Sequence, residues 1–260
     1  MNRHQRHAAR TPCEIVSLLG FCLLSACSSP VAPSEVDEGR RLFESKALSQ
    51  SHLNDYSCTT CHDLEVSDPP SKKAGGALSG VTLRTSFWGG QVADLLGSVN
   101  ACRENFMGDS RALAAKDEQA RALYAYLASL EPGDSDPIPF TVVETIDPLP
   151  RGDSPEAIES AQSHGQLLYS QTCLHCHGSM HEGVGRLSTR VPILPEETLA
   201  QHPPPQYTPR LQRLVFTEKI RHGLFLGYGG VMPPYSRELL SDEDVSDVLE
   251  ALGVLGDVGQ

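Results

Sequence analysis

Two short motifs combine a pair of cysteine thiols with an adjacent imidazole. The first spans 58–62 (CTTCH) and the second spans 173–177 (CLHCH). In a chain of 260 residues with 8 Cys and 10 His, chance alone predicts about 0.01 motifs of the form C-x-x-C-H. Two occurrences therefore indicate a shared chemical role. Disulfides or zinc sites would not explain why a histidine follows both cysteine pairs.

The spacing within each motif fits covalent attachment of a porphyrin. Two thiols three positions apart lie on neighbouring turns of a short helix and can add to the two vinyl groups on one edge of the ring. The histidine that follows can then bind the iron, which is the attachment signature of c-type haem. The sequence therefore predicts two covalently bound haem c groups. Six residues are predicted to hold them: Cys58, Cys61, Cys173 and Cys176 through thioether bonds, and His62 and His177 as iron ligands.

The first 26 residues have the pattern of a secretory signal. Three arginines precede an apolar run at 15–24, which is too short to span a membrane permanently. The run leads into LSAC at 24–27, which resembles the lipobox of bacterial lipoproteins, where cleavage exposes a cysteine that is acylated. We therefore expect a lipoprotein signal peptide at 1–26 and lipid attachment at Cys27, tethering the chain to a bilayer. An ordinary signal peptide with an incidental cysteine is the alternative.

The charge of the chain limits its partners. The formal net charge is −12 at pH 7. An acidic exported surface argues against nucleic acid and suits docking to basic or dipolar redox partner proteins, although solubility alone also accounts for such charge. The expected location is the periplasmic face of a bacterial membrane, with the outer membrane favoured.

Each motif stands within a similar order of predicted helices. A G-x-x-L-aromatic pattern precedes both motifs, at 39–43 and at 165–169. Ser34 and Ser154 are placed to cap the helices that contain these patterns. An amphipathic helix then closes each half of the chain, and Ser241 opens a capping box for the second. The apolar positions of the closing helices are Ala120, Leu123, Tyr124, Leu127 and Leu130 in the first, and Val245, Val248, Leu249 and Leu252 in the second.

This order of elements resembles the class I cytochrome c domain, present twice. In that family the first and last helices cross, C-x-x-C-H follows the first helix, and the distal iron ligand lies on a loop before the last helix. The resemblance implies an all-α fold of two tandem cytochrome c-like helical domains, at 35–130 and 154–256. A Pro/Asp-rich linker at 131–153 joins them. Extra residues between Phe43 and Cys58 depart from the family pattern and leave the end of the first helix open.

The same resemblance indicates the distal iron ligands. Met232, on a loop rich in Gly and Pro, matches the M-P-P motif of the family, and a thioether opposite His raises the haem potential. In the first half, Met107 precedes the last helix at nearly the same distance. Cys102 is the alternative, because the run 99–103 resembles the segment of thiosulfate dehydrogenase-type dihaem cytochromes whose Cys thiolate binds iron. Cys102 also fits a small buried residue on the apolar face of a helix.

The predicted ligand sets favour electron transfer over catalysis. With protein ligands on both sides of each iron, neither haem offers a vacant position to oxygen or peroxide. The sequence therefore predicts a dihaem electron carrier, and whether the protein is also an enzyme stays open. One alternative is oxidation of a sulfur anion such as thiosulfate at a Cys102-ligated first haem, with Arg84, Arg103 and Arg111 as a candidate basic pocket. Another is a haem subunit of a respiratory complex.

Overall fold

The secondary structure is entirely helical wherever it is regular. The computed structural model describes residues 34–65, 72–130, 136, 139–141, 149, 154–223 and 231–254. The predicted signal peptide, Cys27 and most of the linker at 131–153 lie outside them. The described residues contain nine α-helices, three short 3-10 helices and no strand, which confirms the all-α prediction. None of the helices in this part of the chain is both long enough and apolar enough to cross a membrane.

The helices divide between a first half (34–130) and a second half (154–254). The first half contains α1 (Glu35–Glu44), α2 (Cys58–Cys61), α3 (Leu95–Asn105) and α4 (Glu118–Ala128). The second half contains α5 (Pro155–Thr172), α6 (Leu174–His177), α7 (Glu196–Gln201), α8 (Pro209–His222) and α9 (Asp242–Ala251). The 3-10 helices are Lys46–Leu48, Val81–Leu83 and Trp88–Gly90. The extra residues after Phe43 therefore follow the end of α1 and form a short 3-10 turn and loop.

Hydroxyl caps fix the starts of three helices where the sequence predicts them. The Ser34 hydroxyl accepts a hydrogen bond from an amide in the first turn of α1 at 3.1 Å, and Ser154 does the same for α5 at 3.1 Å. At α9, Ser241 and Asp244 form a capping box in which each side chain accepts a hydrogen bond from the other's amide at 3.0 Å. These bonds satisfy amides that a helix leaves unpaired at its start.

In each half the first helix crosses the last helix at a glycine. α1 packs against α4, and a Cβ atom at Gly39 would lie 2.0 Å from the carbonyl oxygen of Ala122. α5 packs against α9, and a Cβ atom at Gly165 would lie 1.9 Å from the carbonyl oxygen of Asp247. Only a residue without a side chain allows the backbones to approach this closely. The G-x-x-L-aromatic pattern thus marks an equivalent helix crossing in both halves.

A buried apolar cluster lies behind each crossing. The first includes Leu42, Phe43, Leu48, Met107, Leu123 and Leu127, and the second includes Leu168, Tyr169, Phe216, Val245, Leu249 and Leu252. From Pro33 onward the chain forms one compact unit. The division into domains at 35–130 and 154–256 stays a prediction.

Candidate functional site

The first C-x-x-C-H motif forms a single helical turn that presents two free thiols. α2 begins after Ser57, whose amide donates to the Thr60 hydroxyl at 3.1 Å. Cys58 and Cys61 are unbridged and pack against the first apolar cluster. Burial raises the pKa of each thiol to about 12, so both stay protonated at neutral pH. The turn thus presents two unbridged thiols one helical turn apart, as attachment to two vinyl groups of one porphyrin requires.

The imidazole of His62 follows this turn and is held neutral. Burial lowers its pKa to about 4, although the backbone of Gly75 and Gly76 opposes the shift. Its Nδ1 atom is buried and, within the described residues, has no partner in hydrogen-bonding geometry. Gly75 lies against the ring, because a Cβ atom there would meet Cε1 at 2.3 Å and Nδ1 at 2.5 Å. Neutral imidazole is the form that binds a metal, so the protonation state of His62 suits an iron ligand.

A cavity of about 270 Å³ lies beside this motif. Most of its lining is apolar. The motif residues Cys58, Cys61 and His62 contribute to its wall, and the two distal candidates Cys102 and Met107 do as well. The structure therefore brings all the residues predicted for the first haem around one cavity. An apolar space bordered by two thiols and a neutral imidazole fits a covalently attached haem.

Met107 and Cys102, the two candidate distal ligands, both line the cavity but lie in different parts of the first half. Met107 is 4% exposed, and its carbonyl oxygen accepts a hydrogen bond from the Ser49 hydroxyl at 2.9 Å. Cys102 lies on α3, and burial raises the pKa of its thiol to about 12. A thiol with that pKa binds iron as a thiolate only if the metal displaces its proton. The choice between the two sulfur ligands stays a prediction.

The second motif orients its histidine more firmly than the first. His177 ends α6, and its Nδ1 atom lies 2.9 Å from the carbonyl oxygen of Pro192. Because a carbonyl only accepts, Nδ1 must carry the proton, which leaves Nε2 free for a metal. Burial lowers the pKa of His177, and this bond opposes the shift. The thiols of Cys173 and Cys176 are unbridged, and burial raises the pKa of each to about 11.

Met232 and the second motif share one apolar environment. Met232 and Cys173 both pack against the second cluster. The Met232 carbonyl oxygen lies against Gly223, where a Cβ atom would be only 2.1 Å away and the backbone has φ +76°. The loop residues before Val231, at 224–230, lie outside the described residues. The described geometry thus places the predicted distal methionine and Cys173 of the second motif against the same apolar cluster.

The two sites adjoin one another. Cys176, in the second motif, packs against the apolar cluster of the first half. The first-half cavity is also lined by residues of the linker and of the second half: Pro139, Phe140, Pro233, Pro234, Ser236, Glu238 and Leu239. Side chains from both halves therefore enclose the first site.

The three arginines of the candidate basic pocket do not come together. Arg103 is 0% exposed and forms an ion pair with Asp109 at 2.6 Å. It also donates to the carbonyl oxygens of Leu48 at 3.1 Å and Arg111 at 2.6 Å, so it cross-links the interior of the first half. Arg84 alone of the three lines the cavity. Arg103 therefore has a structural role in the interior, where its charge is paired with Asp109.

Sequence reasoning missed three residues that hold the site. Ser49 bonds the Met107 carbonyl, Gly75 lies against the His62 ring, and the Tyr56 hydroxyl donates to the Val231 carbonyl at 3.1 Å. The glycine pair at 75–76 was the one local signal, since it permits close backbone approach. Nothing in the local pattern around Ser49 or Tyr56 indicates partners so distant in sequence.

Comparison with known proteins supports a haem protein for the second half. Residues 160–250 match a family model described as cytochrome c oxidase, cbb3-type, subunit III. The matched region contains the second C-x-x-C-H motif and Met232. It supports a c-type cytochrome with covalently bound haem c and a role in haem-based electron transfer. A search of curated proteins found no match to the chain.

Proposed function

We propose that this protein is a dihaem c-type cytochrome that transfers electrons in the bacterial cell envelope. The observation that carries the proposal is the repeated site: two C-x-x-C-H motifs, each with unbridged thiols and a buried histidine of lowered pKa. One borders an apolar cavity, and the other lies in the region matched by the cytochrome family. Haem, when bound, supplies one-electron redox chemistry at iron.

The chain's own residues would set the properties of each site. The four thiols would hold the two porphyrins, and the two histidines would each supply one iron ligand. Met107 and Met232 would supply the second ligands, with Cys102 as the alternative to Met107, and a thioether would favour the reduced iron. Apolar walls from both clusters exclude water, which tunes the potential further. Filling both axial positions leaves no place for a substrate at iron, which favours a carrier.

The closeness of the two attachment sites supports electron passage between them. The pKa of the Cys61 thiol is raised by burial and also by the nearby thiol of Cys176, which belongs to the other motif. Tyr235, which is 4% exposed, lies close enough to Cys173, Cys61 and Cys176 for all three to raise its pKa. The thiols that would attach the two haems therefore lie near one another in the interior.

We further propose that the protein is exported and held at a membrane through an acylated Cys27, facing the periplasm. Two or more acyl chains give firm attachment, whereas one gives only marginal binding. The outer membrane is favoured. The acidic charge of the chain suits redox partner proteins with basic docking surfaces.

Two other functions each have one observation in their favour. The matched family is described as a subunit of cbb3-type cytochrome c oxidase, which favours a haem subunit of a respiratory complex. Cys102 lines the first cavity together with Arg84, which favours oxidation of a sulfur anion at a thiolate-ligated haem. The buried, protonated state of Cys102 and the internal position of Arg103 weigh against the second of these.

Haem counting tests the proposal directly. The intact mass of the purified protein should exceed that of its polypeptide by two haem groups, and acid acetone should leave the colour with the protein. A Cys58→Ala/Cys61→Ala variant and a Cys173→Ala/Cys176→Ala variant should each lose one covalent haem and keep the other. One haem in the native protein, or loss of both in either variant, would contradict two independent attachment sites.

A further inference from the structure

The backbone next to Met232 is held by the opposite half of the chain. The Tyr56 hydroxyl donates a hydrogen bond to the Val231 carbonyl oxygen at 3.1 Å, across 175 positions of sequence. The Val231 side chain is 49% exposed, so this residue meets the interior through its backbone. The Tyr56 ring is buried, which raises the pKa of its hydroxyl well above the usual value and keeps it a donor.

Tyr56 is itself clamped beside the first motif. Its amide donates to the Asn54 side-chain oxygen at 2.9 Å, and the Asn54 side-chain amide donates back to its carbonyl oxygen at 2.9 Å. Cys58, which attaches the first haem in the proposed function, is two residues further along. The position of the Tyr56 hydroxyl is therefore set by the first half.

The far side of Met232 is fixed by its own half. The Met232 carbonyl oxygen lies against Gly223, at the end of α8. Three residues later, the Tyr235 amide donates to the Ile220 carbonyl oxygen of the same helix at 2.8 Å. Met232 thus lies between an anchor on α8 and an anchor on the first half.

We propose that Tyr56 is a positioning residue for Met232 as the distal ligand of the second haem. The inference rests on the proposed function, in which Met232 binds the second iron. By holding the Val231 carbonyl, the Tyr56 hydroxyl limits how far the thioether can withdraw from the metal. Ligation of the second haem therefore depends on a residue that belongs to the first half.

Imidazole competition measures this dependence in the full-length, haem-loaded protein. Tyr56→Phe removes the hydroxyl and keeps the ring. Imidazole is titrated into the ferric protein, where it competes with Met232 for iron, and loss of the weak sulfur-to-iron absorption band is followed. Losing one neutral hydrogen bond should raise the apparent imidazole affinity of the second haem about fivefold. Met232→Ala identifies the part of the band that belongs to the second haem.

Two further variants separate positioning from general destabilisation. Ser129→Ala is the control, because it removes a hydroxyl-to-carbonyl bond of 2.7 Å to Tyr126 at the end of α4, outside the lining of the first cavity, and it should leave imidazole binding at both haems unchanged. Asn54→Ala loosens Tyr56 without altering the hydroxyl and should shift the affinity in the same direction as Tyr56→Phe. Haem content confirms that each variant carries both groups.

The outcomes distinguish this inference from the proposed function. If Met232→Ala removes its part of the band but Tyr56→Phe binds imidazole as the native protein does, the positioning role is overturned and the proposed function stands. An equal rise in Ser129→Ala and Tyr56→Phe would also overturn it, since the effect would then be general. If Met232→Ala leaves the whole band intact, Met232 is not the ligand and both proposals fail on that point.

Discussion

At the residue scale, the apolar first cavity favours a thioether ligand over a thiolate ligand. The thioether of Met107 carries no charge in any state, so an apolar environment does not disfavour its iron-binding form. Burial raises the pKa of Cys102 to about 12, so its binding form must be generated by the metal against that environment. Both residues line the same cavity. The balance favours Met107 as the distal ligand of the first haem.

Spectra of two single variants test this assignment. Met107→Ala should remove about half of the sulfur-to-iron band of the ferric protein, since one of two methionine-ligated haems is lost, and should lower the potential of that haem. Cys102→Ala should keep the full band. The measurement is an absorption spectrum combined with redox titration.

A thiolate spectrum would reverse the conclusion. Such a spectrum would survive Met107→Ala and vanish in Cys102→Ala, because a thiolate donates charge to ferric iron whereas a thioether donates little. If it came with thiosulfate-dependent reduction of the protein, the carrier function would give way to the enzymatic alternative.

How far the sequence could predict these residues depends on how local their role is. The C-x-x-C-H motif places both attachment cysteines and the iron-binding histidine within five consecutive positions, so it could be recognised from the sequence alone. Arg103 is a candidate for a basic pocket by sequence, and only the fold shows that Asp109 and two backbone carbonyls accept hydrogen bonds from it. Tyr56 and Ser49 donate hydrogen bonds to backbone carbonyls 175 and 58 positions away. Every residue has a backbone carbonyl, so the residue types give no sign of such a partner.

At the element scale, the glycine crossings determine how closely the terminal helices pack. Gly165 allows α5 to touch the backbone of α9, and Gly39 does the same for α1 and α4. Alanine favours the helix by about 1 kcal/mol relative to glycine, so a Gly→Ala substitution gains helix propensity but adds a methyl group at the crossing. At Gly165 this methyl group would lie 1.9 Å from a carbonyl oxygen, and one helix would have to move to make room for it. The steric cost is therefore larger than the gain in propensity.

Gly165→Ala is therefore expected to destabilise the protein. Overpacking of this kind costs about 1–3 kcal/mol, which at about 2–4 °C per kcal/mol for a chain of this size lowers the thermal midpoint by about 2–12 °C. Thermal unfolding followed by circular dichroism measures the shift. Ser163→Ala, at an exposed position of the same helix, is the control and should change the midpoint little. A Gly165→Ala protein as stable as the native one would contradict the crossing.

Helix starts could be predicted where a serine cap marks them, and less well from apolar periodicity alone. Ser34, Ser154 and Ser241 carry their caps in the sequence, and the structure begins α1, α5 and α9 directly after them. Apolar periodicity extended the helix of Cys102 from Val92 to Phe106, whereas α3 spans Leu95–Asn105 because Asp94 caps it and Val92 instead pairs with Phe87. The start of α3 is therefore set by the Asp94 side-chain cap and not by the extent of the apolar pattern.

At the scale of the whole molecule, charged contacts join the two halves. Arg190 forms an ion pair with Asp55, and Lys72 pairs with Asp244 at 3.1 Å. Hydrogen bonds from Ser188 and Arg190 hold the pKa of Asp55 below its usual value, although burial alone would raise it. A lowered folded pKa means that this stabilisation is present above the unfolded pKa of about 4 and is lost as the pH falls through the folded value.

Asp55→Asn should remove part of this acid dependence. At neutral pH the variant is expected to unfold about 2 °C below the native protein, the effect of one partly exposed ion pair. The difference should narrow as the pH falls below about 4, where the unfolded chain gains the Asp55 proton first, and should be lost once the pH falls through the lowered pKa of the native carboxylate. Unfolding midpoints measured between pH 7 and pH 2 give the comparison, and Glu104→Gln, an exposed acid on α3, is the control. A constant difference across this range would contradict the role given to Asp55.

Residues of both halves line the first cavity, and this limits which halves could be exchanged between related proteins by recombination. The two C-x-x-C-H units look interchangeable in sequence, yet Pro233, Pro234 and Leu239 of the second half line the cavity of the first. Replacing the second half with an unrelated cytochrome domain would open that cavity to water. Replacing the first half would take away the hydroxyl that holds the Val231 carbonyl. The two halves can therefore be exchanged only as a pair, and each residue at their contact constrains substitutions in both.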